Sequence, residues 1–456
     1  MQRFFTAIAA AGVFVCASGV PVAYAQTLKD TFAAAYSNNP SLNLARSQLR
    51  EVDENIALAR SGNRPNLFGT IRQSWETTRT IALRSTGVRS APTQAVITLS
   101  QPLFQGFRTR NSIRGATAAV RAQRYSLSNS EQNVLLDTAT AFYDVIEDRQ
   151  IVALRRNDVS FLGAQVRAAR DRFEVGEGTR TDISQAEARQ ARAESALNFE
   201  IANLQASEAT FRQQTGLDPK RLVDNLTEER FLPASLDSAI TIGQNGHPAI
   251  VATLYDVDSA AFNVANLEGQ FLPSLDLVGE AQTTINNGGG IAQRDSATVR
   301  LNLSVPIYQG GRVSAEVRRA KEELGSARIQ VDVIRDTIRQ FTVESWARYR
   351  AALRTIITSR TEVFAAQLAL QGVIEEQRVG QRTTLDVLDA QSELIAAQIT
   401  LVQSERERDV TAYTLISAIG QLNASRLGLA VAIYQPEEHL EAVKDKWFGF
   451  RTPDGR

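Results

Sequence analysis

Apolar and polar side chains alternate strictly in one segment of the second half of the chain. From Thr298 to Val305 every odd position is apolar and every even position is polar. Positions 94–100 repeat this pattern with the single exception of Val96. Because successive side chains of a strand point to opposite faces, both segments predict β-strands with one apolar face. Together with the less regular runs that precede them, the predicted strands lie at about 66–76, 94–104, 274–283 and 296–306.

The length of these strands allows two interpretations. A half-buried sheet in a soluble protein is the usual source of alternation, but about ten residues is also the length with which a tilted strand crosses a bilayer. Since lipid does not tolerate an open sheet edge and four strands cannot close a barrel, membrane-spanning strands require protomers that share one barrel. The polar segments 77–93 and 284–295 are predicted as hairpin loops. Aromatic residues near the strand ends suit an interfacial girdle: Phe68, Trp75, Phe104, Phe271 and Tyr308.

Two other segments predict very long helices. Positions 108–172 and 312–376 contain no proline, and at 1.5 Å per residue each helix would be roughly 100 Å long. A helix of this length cannot be buried in one globule, so it is expected to pack in a coiled-coil-like wall. Each is followed by a glycine-containing turn and a predicted return helix, at 182–215 and 384–422. An ordinary antiparallel helical bundle is the alternative.

The sequence predicts that the chain is a duplication. The segment LSQPLFQGFR, which starts at Leu99, recurs as LSVPIYQGGR from Leu303, at an offset of 204 residues. The pattern Val-Gly-x-x-Thr-x-x-Asp recurs with the same offset, starting at Val175 and at Val379. Self-similarity at a fixed offset indicates repeated structural units. We therefore expect two structural repeats followed by a C-terminal tail, at 26–233, 234–422 and 423–456.

The N-terminus has the three parts of a secretory signal peptide. Arg3 supplies a positive charge, positions 4–20 are apolar, and a small-residue cleavage sequence, AYA, ends at Ala25. We predict a signal peptide over 1–25 that is cleaved near Ala25, with an uncleaved anchor as the alternative. Cys16 is the only cysteine and lies inside this segment. The mature chain is therefore expected to have no disulfide and no thiolate metal site.

Composition argues against several classes of function. The 50 basic residues balance the 50 acidic ones, whereas nucleic-acid binding requires a basic surface that displaces counterions. The only histidines are His247 and His439, so we expect no zinc site and no other metal or cofactor. Gly-x-Ser-x-Gly, Walker and His-Glu-x-x-His patterns are absent from the sequence. We therefore predict no catalytic residues, and His247, which precedes a proline, is expected to cap a helix.

This combination of features resembles the TolC family of outer-membrane channel proteins. The resemblance covers the whole mature chain, and positions 379–391 match the family's tip sequence specifically. Positions 444–456 are similar to the end of alphaproteobacterial efflux members of the family. The resemblance implies an α+β membrane protein that forms a homotrimer. Its twelve-stranded β-barrel, with four strands per protomer, would continue into a long periplasmic α-helical coiled-coil barrel.

The family closes its tunnel at the periplasmic tip, and the aspartates that line the constriction fall on Asp386 and Asp389. These positions are three residues apart and share one helix face. Three protomers would bring six carboxylates round one axis, where they would attract cations and bind multivalent ones. Crowding of like charges would also raise some proton affinities. The alternative is that Asp386 only caps the return helix.

The family also latches the closed tip with an arginine of one turn bonded to the aspartate end of the other. The matching residues here are Arg382 and Asp182, and Gln377 stands where the family has a tyrosine. A solvated surface pair with little energetic effect is the alternative for the arginine and the aspartate. Further tip residues are expected to form the helix turns and to contact an adaptor protein in the family's manner: Gly176, Thr179, Gly380 and Thr383.

The function implied by the resemblance is that of a passive exit duct in the outer membrane of a Gram-negative bacterium. Its expected partners are a periplasmic adaptor, an inner-membrane pump of the RND or ABC type, and outer-membrane lipid, without nucleic acid. Drug efflux is the first hypothesis, and type I protein secretion is the alternative within the family. A periplasmic scaffold that does not conduct is the alternative outside it.

Overall fold

The computed structural model describes residues 25–80, 86–223, 228–286 and 292–455. The predicted signal peptide, with Cys16, lies outside these residues except for Ala25. Two 3-10 turns occur at Glu228–Phe231 and Gly269–Phe271. The first half contains, in chain order, β1 (Gln26–Thr27), α1 (Leu28–Asn38), α2 (Pro40–Ser61), β2 (Asn66–Gln73), β3 (Glu76–Thr80), β4 (Thr86–Ser90), β5 (Thr93–Gln105), α3 (Arg108–Glu174), α4 (Arg180–Thr215) and β6 (Leu222–Val223). The second half contains α5 (Leu236–Gly246), α6 (Pro248–Glu268), β7 (Ser274–Ile285), β8 (Gln293–Ser304), α7 (Arg312–Arg378), α8 (Thr384–Ala418), α9 (Ala424–Leu427) and α10 (Pro436–Val443).

The two longest helices, α3 and α7, have 67 residues each, which corresponds to roughly 100 Å at the α-helical rise. They begin at equivalent positions of the duplication and end two residues beyond the predicted 172 and 376. Each packs along the return helix that follows it, and α6 packs against both of them. Within the described ranges, no helix combines the length and the apolar character that a membrane-spanning helix needs.

The return helices differ from prediction at their ends. Helix α4 begins at Arg180 rather than 182, because Thr179 is its N-cap. Helix α8 ends at Ala418 rather than 422, because Gly420 has a φ of +77°. A left-handed glycine lets the chain turn back and satisfy the last helix carbonyls. The following Leu422 is fully buried in the core instead of extending the helix.

The strands β2, β5, β7 and β8 form one antiparallel sheet in that order. Leu99 is paired with Leu67 on one side and with Gly279 on the other, and Gly279 is paired with Val299. Paired residues of neighbouring strands share a face. The odd-numbered residues therefore form one continuous apolar face, and the even-numbered residues form a mostly polar one.

Several strand bounds depart from prediction. Strand β2 ends at Gln73 rather than 76, and the predicted loop 284–295 is shorter than expected because β7 reaches Ile285 and β8 begins at Gln293. Strand β8 ends at Ser304 rather than 306, since Pro306 has no N–H to donate to a ladder. The segment 77–93, predicted as a loop, instead contains the antiparallel ribbon of β3 and β4. Of the second predicted loop, Gly288 to Gly290 lie outside the described residues. All four connections between the sheet and the helices lie at one end of the sheet, called here the base.

The main hydrophobic core lies part-way along α3, away from the sheet. Helices α1, α2, α4 and α8 converge there with the segment that follows α8. Phe32, Phe142 and Tyr413 are among its largest fully buried side chains, and the rings of Phe32 and Tyr413 lie 5.7 Å apart. The free ends of the α3–α4 and α7–α8 hairpins, called here the tips, therefore extend from a fixed central body.

Candidate functional site at the helix tips

The two tips have the same backbone geometry. Gly176 and Gly380 follow α3 and α7 with φ values of +81° and +77°. A β-carbon at either position would meet no atom within 4 Å. The left-handed backbone, and not a lack of space, is therefore the reason for glycine at both turns.

A capping box begins each return helix. The Thr383 hydroxyl accepts a hydrogen bond from the Asp386 N–H at 3.3 Å, and the Asp386 carboxylate accepts from the Thr383 N–H and hydroxyl at 2.8 Å each. Thr179 and Asp182 form the same box in the first tip. Thr383 is thus the N-cap, and Asp386 is the third residue of the helix rather than the cap itself.

These hydrogen bonds keep the tip carboxylates ionised. The Thr383 backbone N–H, followed by its hydroxyl, lowers the pKa of Asp386. The Thr179 hydroxyl, followed by its backbone N–H, lowers the pKa of Asp182. Within one protomer the direction is therefore opposite to the rise expected for a crowded ring of carboxylates.

Asp389 engages a different partner from Asp386. Its Oδ1 accepts a hydrogen bond at 2.6 Å from Nη2 of Arg189, which lies on α4. The positions that correspond to Arg189 and Asp389 in the duplication are Glu393 and Gln185. The ion pair therefore has no counterpart in the repeat, and the sequence analysis missed Arg189 because no local pattern marks it.

A second polar contact joins α8 to the first hairpin. The Gln391 Nε2 donates to Asp158 Oδ1 at 2.9 Å, and both side chains are buried. Burial raises the pKa of Asp158, while the Gln391 hydrogen bond opposes the rise. We call the pairs Arg189–Asp389 and Asp158–Gln391 the α8 clasp, because together they fasten α8 to α4 and to α3. A cavity of about 320 Å³ lies beside the clasp and is lined in part by Arg155, Arg192 and Leu388.

Further along α8, Arg406 makes another charged contact with α3. Its Nη2 lies 2.7 Å from Asp144 Oδ1 and its Nε lies 3.6 Å from Glu147 Oε2. Burial raises the pKa of Glu147 to about 7, although the Arg406 charge opposes the rise. A carboxyl in this state changes its charge near neutral pH.

The predicted latch pair is not brought together within one protomer. The Arg382 Nε donates to Glu376 Oε2 at 2.8 Å, on its own tip, while Asp182 is occupied in the capping box of the other tip. The Gln377 Nε2 donates to the Thr384 hydroxyl at 3.4 Å. All three residues therefore have local partners, and a bond between Arg382 and Asp182 would have to form between protomers.

Both histidines make defined contacts within the protein. The Nδ1 of His247 accepts from the Ala249 N–H at 3.2 Å, which makes His247 a helix cap, and burial lowers its pKa to about 4. The Nδ1 of His439 lies 3.1 Å from the buried Asp53 carboxylate. In the described part of the chain, no three His, Cys, Asp or Glu side chains are grouped so as to hold a metal ion.

The chain thus combines a sheet that has one exposed apolar face with two helical hairpins, in each of which the first helix is roughly 100 Å long. This arrangement defines a channel-type protein of the outer membrane. The chain belongs to the outer membrane efflux protein family, whose profile matches residues 32–217 and 243–421, one segment in each half of the duplication.

Individual relatives agree with this assignment. The chain is 45% identical to the outer membrane efflux protein BepC of Brucella suis, over 95% of this chain and 94% of that protein. It is 24% identical to the outer membrane protein TolC of Escherichia coli, over 88% of this chain and 84% of that protein. The crystal structure of the Campylobacter jejuni CmeC outer membrane channel matches with a TM-score of 0.78 and 16% identity, covering 92% of this chain and 89% of that one. The resemblance to the TolC family and the α+β fold are therefore confirmed.

Proposed function

We propose that three copies of this chain form the exit duct of a tripartite export system. The duct would conduct drugs and other small molecules passively across the periplasm and the outer membrane when an adaptor and an inner-membrane pump are docked. Cleavage of the signal peptide near Ala25 is part of this proposal, and it would leave the part of the chain that begins with β1 at Gln26. The repeats 26–233 and 234–422 and the tail 423–456 remain our proposed domain boundaries.

The sheet is the observation that carries this proposal. On its apolar face Ile71 is 82% exposed and Val299 is 76% exposed, whereas on the opposite face Glu280 and Arg300 form an ion pair of 3.0 Å. Apolar side chains facing lipid and charged side chains facing a lumen are typical of a channel-forming barrel. Strands β2 and β8 are the edges of this sheet, and within the described residues neither pairs with a further strand on its outer side. Pairing of β2 with β8 of the next protomer would close the barrel.

The helices also leave apolar surface for a neighbour. Ile357, Phe364 and Leu368 are exposed on α7 at spacings of seven and four residues. This spacing puts them on one side of the helix, as in the seam of a coiled coil. Packing of this stripe against the first hairpin of the next protomer would form a continuous helical wall.

At the tip, Asp386 and Asp389 are the proposed constriction. Each protomer would contribute two carboxylates. The Asp386 carboxylate is hydrogen-bonded within the capping box, and the Asp389 carboxylate is compensated by Arg189. The proposed latch joins Arg382 to Asp182 of the next protomer, with Gln377 beside it. The exposed turns at Gly176, Thr179, Gly380 and Thr383 are the proposed adaptor contacts, together with their exposed neighbours Val175 and Val379.

A cysteine cross-link tests the closure of the barrel. The predicted mature chain has no cysteine, so Thr70→Cys on β2 can be combined with Thr298→Cys and its neighbours on β8. Within one protomer β5 and β7 lie between β2 and β8, so cysteines on the two edge strands are too far apart to form a disulfide. We expect covalent dimers and trimers on oxidation and no higher species. Covalent species larger than a trimer would refute the closed trimer.

Single-channel recording tests conduction. We expect the purified protein in a planar bilayer to show a small cation-selective conductance that multivalent cations block. Asp386→Asn with Asp389→Asn should weaken both selectivity and block, whereas Glu375→Gln, which removes an exposed carboxylate elsewhere at the tip, should not. Inserted trimers that stay silent with an adaptor present would favour the scaffold hypothesis. Gene deletion, scored for drug sensitivity and for secreted proteins, separates efflux from type I secretion.

A further inference from the structure

The C-terminal segment after α10 is attached to the end of α2. The Arg60 Nη1 donates to the Lys444 carbonyl at 3.3 Å and pairs with the Asp445 carboxylate. The Arg64 Nη1 donates to the Lys446 carbonyl at 2.6 Å. The Arg64 guanidinium lies 4.8 Å from the centroid of the Trp447 ring, a cation–π contact.

This attachment puts the segment at the base of the sheet. Arg64 precedes the first residue of β2 by two positions. The neighbouring Asn63 carbonyl accepts a hydrogen bond of 2.9 Å from Gln101 of β5. At the same end Tyr308, a member of the girdle predicted from sequence, is 87% exposed. The segment therefore lies at the level where the sheet meets the helices.

The side chains of this segment are unusual for a surface in water. Trp447 and Phe448 are 65% and 90% exposed, and Phe450 is fully exposed. Two cationic residues, Lys446 and Arg451, flank them in sequence. Clustered exposed aromatic side chains mark an interaction surface. Tryptophan is enriched at the boundary between acyl chains and headgroups, and cationic side chains near it bind headgroup phosphates.

We propose that residues 444–451 are an interfacial anchor that binds the periplasmic leaflet of the outer membrane. The three aromatic rings enter the acyl–headgroup boundary, and Lys446, Arg451 and Arg64 face phospholipid phosphates. The proposal rests on the proposed function, since it requires the sheet to span the membrane with its base at the periplasmic surface. Lipid is favoured over a neighbouring protomer as the partner because the segment lies at the level of the predicted girdle and because cationic side chains flank its aromatic rings.

The three tryptophans of the chain make a direct test. Single-tryptophan variants of the full-length protein are built by Trp→Phe changes and reconstituted in phosphatidylcholine vesicles that contain brominated lipid. Trp447 is retained in Trp75→Phe/Trp346→Phe. Two matching controls each retain one of the other tryptophans. The first keeps Trp75, just beyond the far end of β2, and the second keeps Trp346, which packs in the helical body.

We expect bromine near the headgroup end of the acyl chain to quench Trp447 severalfold more strongly than bromine near the chain terminus. Trp75 should also be quenched, and Trp346 should not. If Trp75 is quenched but Trp447 is not, the anchor is refuted while the proposed function stands. If Trp75 also escapes quenching, the membrane-spanning sheet itself is wrong. A blue-shifted Trp447 that neither bromolipid nor aqueous iodide quenches would mean that protein covers the segment.

A second variant tests the neighbouring rings without touching the reporter. Phe448→Ser/Phe450→Ser should lower bromolipid quenching of Trp447 and make it accessible to iodide. Phe199→Ser, which removes an exposed phenylalanine from α4, should leave both signals unchanged. Equal quenching of Trp447 in both variants would contradict a joint role of the three rings.

Discussion

Arg189 is predicted to control both the opening and the cation affinity of the tip. Arg189→Gln keeps most of the side chain but removes the charge that compensates Asp389 across 2.6 Å. The change removes the pair that joins α8 to α4 and leaves the pair Asp158–Gln391, which joins α8 to α3. It also leaves the Asp389 carboxylate uncompensated at the proposed constriction.

The energy involved follows from the exposure of the pair. The Arg189 and Asp389 side chains are 32% and 52% exposed, and partly solvated ion pairs contribute about 0.5–1 kcal/mol each. If tip opening breaks the pair in all three protomers together, Arg189→Gln favours the open tip by roughly 2 kcal/mol, which corresponds to about a thirtyfold larger open fraction. The expected effect is therefore large for the trimer although it is small for one protomer.

The assay is open probability and cation block in planar bilayers. Arg189→Gln and Asp389→Asn both break the clasp and should both raise open probability. Their effects on block by multivalent cations should have opposite signs, because the first exposes a carboxylate and the second removes one. The matched control is Arg170→Gln, whose partner Glu187 lies 2.5 Å away within the first hairpin, so that α8 stays fastened.

Two results would refute this reasoning. One is an Arg189→Gln channel with the open probability of Arg170→Gln, which would mean that the clasp does not hold the tip. The other is a change of block in the same direction for Arg189→Gln and Asp389→Asn. Restoration of the closed tip by the charge exchange Arg189→Asp/Asp389→Arg would support the pairing directly.

Three further predictions concern stability and assembly. The folded protein keeps a proton on Glu147 up to about pH 7, whereas its ordinary pKa is 4.5. Glu147 should therefore lower stability by up to about 3 kcal/mol as pH rises between these values, and Glu147→Gln should make the slope shallower in thermal unfolding. Gly380→Ala should destabilise the tip by about 1 kcal/mol because its φ is +77°, whereas Gly372→Ala inside α7 should stabilise by about 0.5–1 kcal/mol. Val299→Arg on the apolar face should cost about 2–4 kcal/mol and reduce trimers resolved by electrophoresis, whereas Thr298→Arg on the opposite face should be tolerated.

Each of these has a result that would contradict it. A wild-type stability profile that is flat or rises between pH 4.5 and 7 while Glu147→Gln changes nothing would show that Glu147 is not protonated in the folded protein. Equal effects of alanine at Gly380 and Gly372 would show that the left-handed turn carries no cost. Equal trimer yields for Val299→Arg and Thr298→Arg would mean that the odd-numbered face does not contact lipid.

Much of the fold is predictable because its signals are local. Strict alternation from Thr298 to Val305 predicts a strand and its apolar face, and the duplication predicts helices α3 and α7 of equal length. The turns at Gly176 and Gly380 follow from glycine's access to the left-handed region. Most errors fall at element ends, such as position 306, where the missing N–H of Pro306 ends the ladder before the alternation ends. The ribbon of β3 and β4, which the sequence analysis assigned to a loop, is the exception.

The sequence by itself determined the periodicities, the duplication, the turn glycines and the family resemblance, since each depends on the torsion preferences and the spacing of nearby residues. Only the tertiary structure decided that Asp389 meets Arg189, 200 residues away, and that Gln391 meets Asp158. Only it brought the C-terminal aromatic segment against Arg64 at the base of the sheet. These contacts depend on how α8 is positioned along α3 and α4 and on where the chain returns after α10. That position is fixed by the packing of many distant side chains at once, which no local pattern encodes.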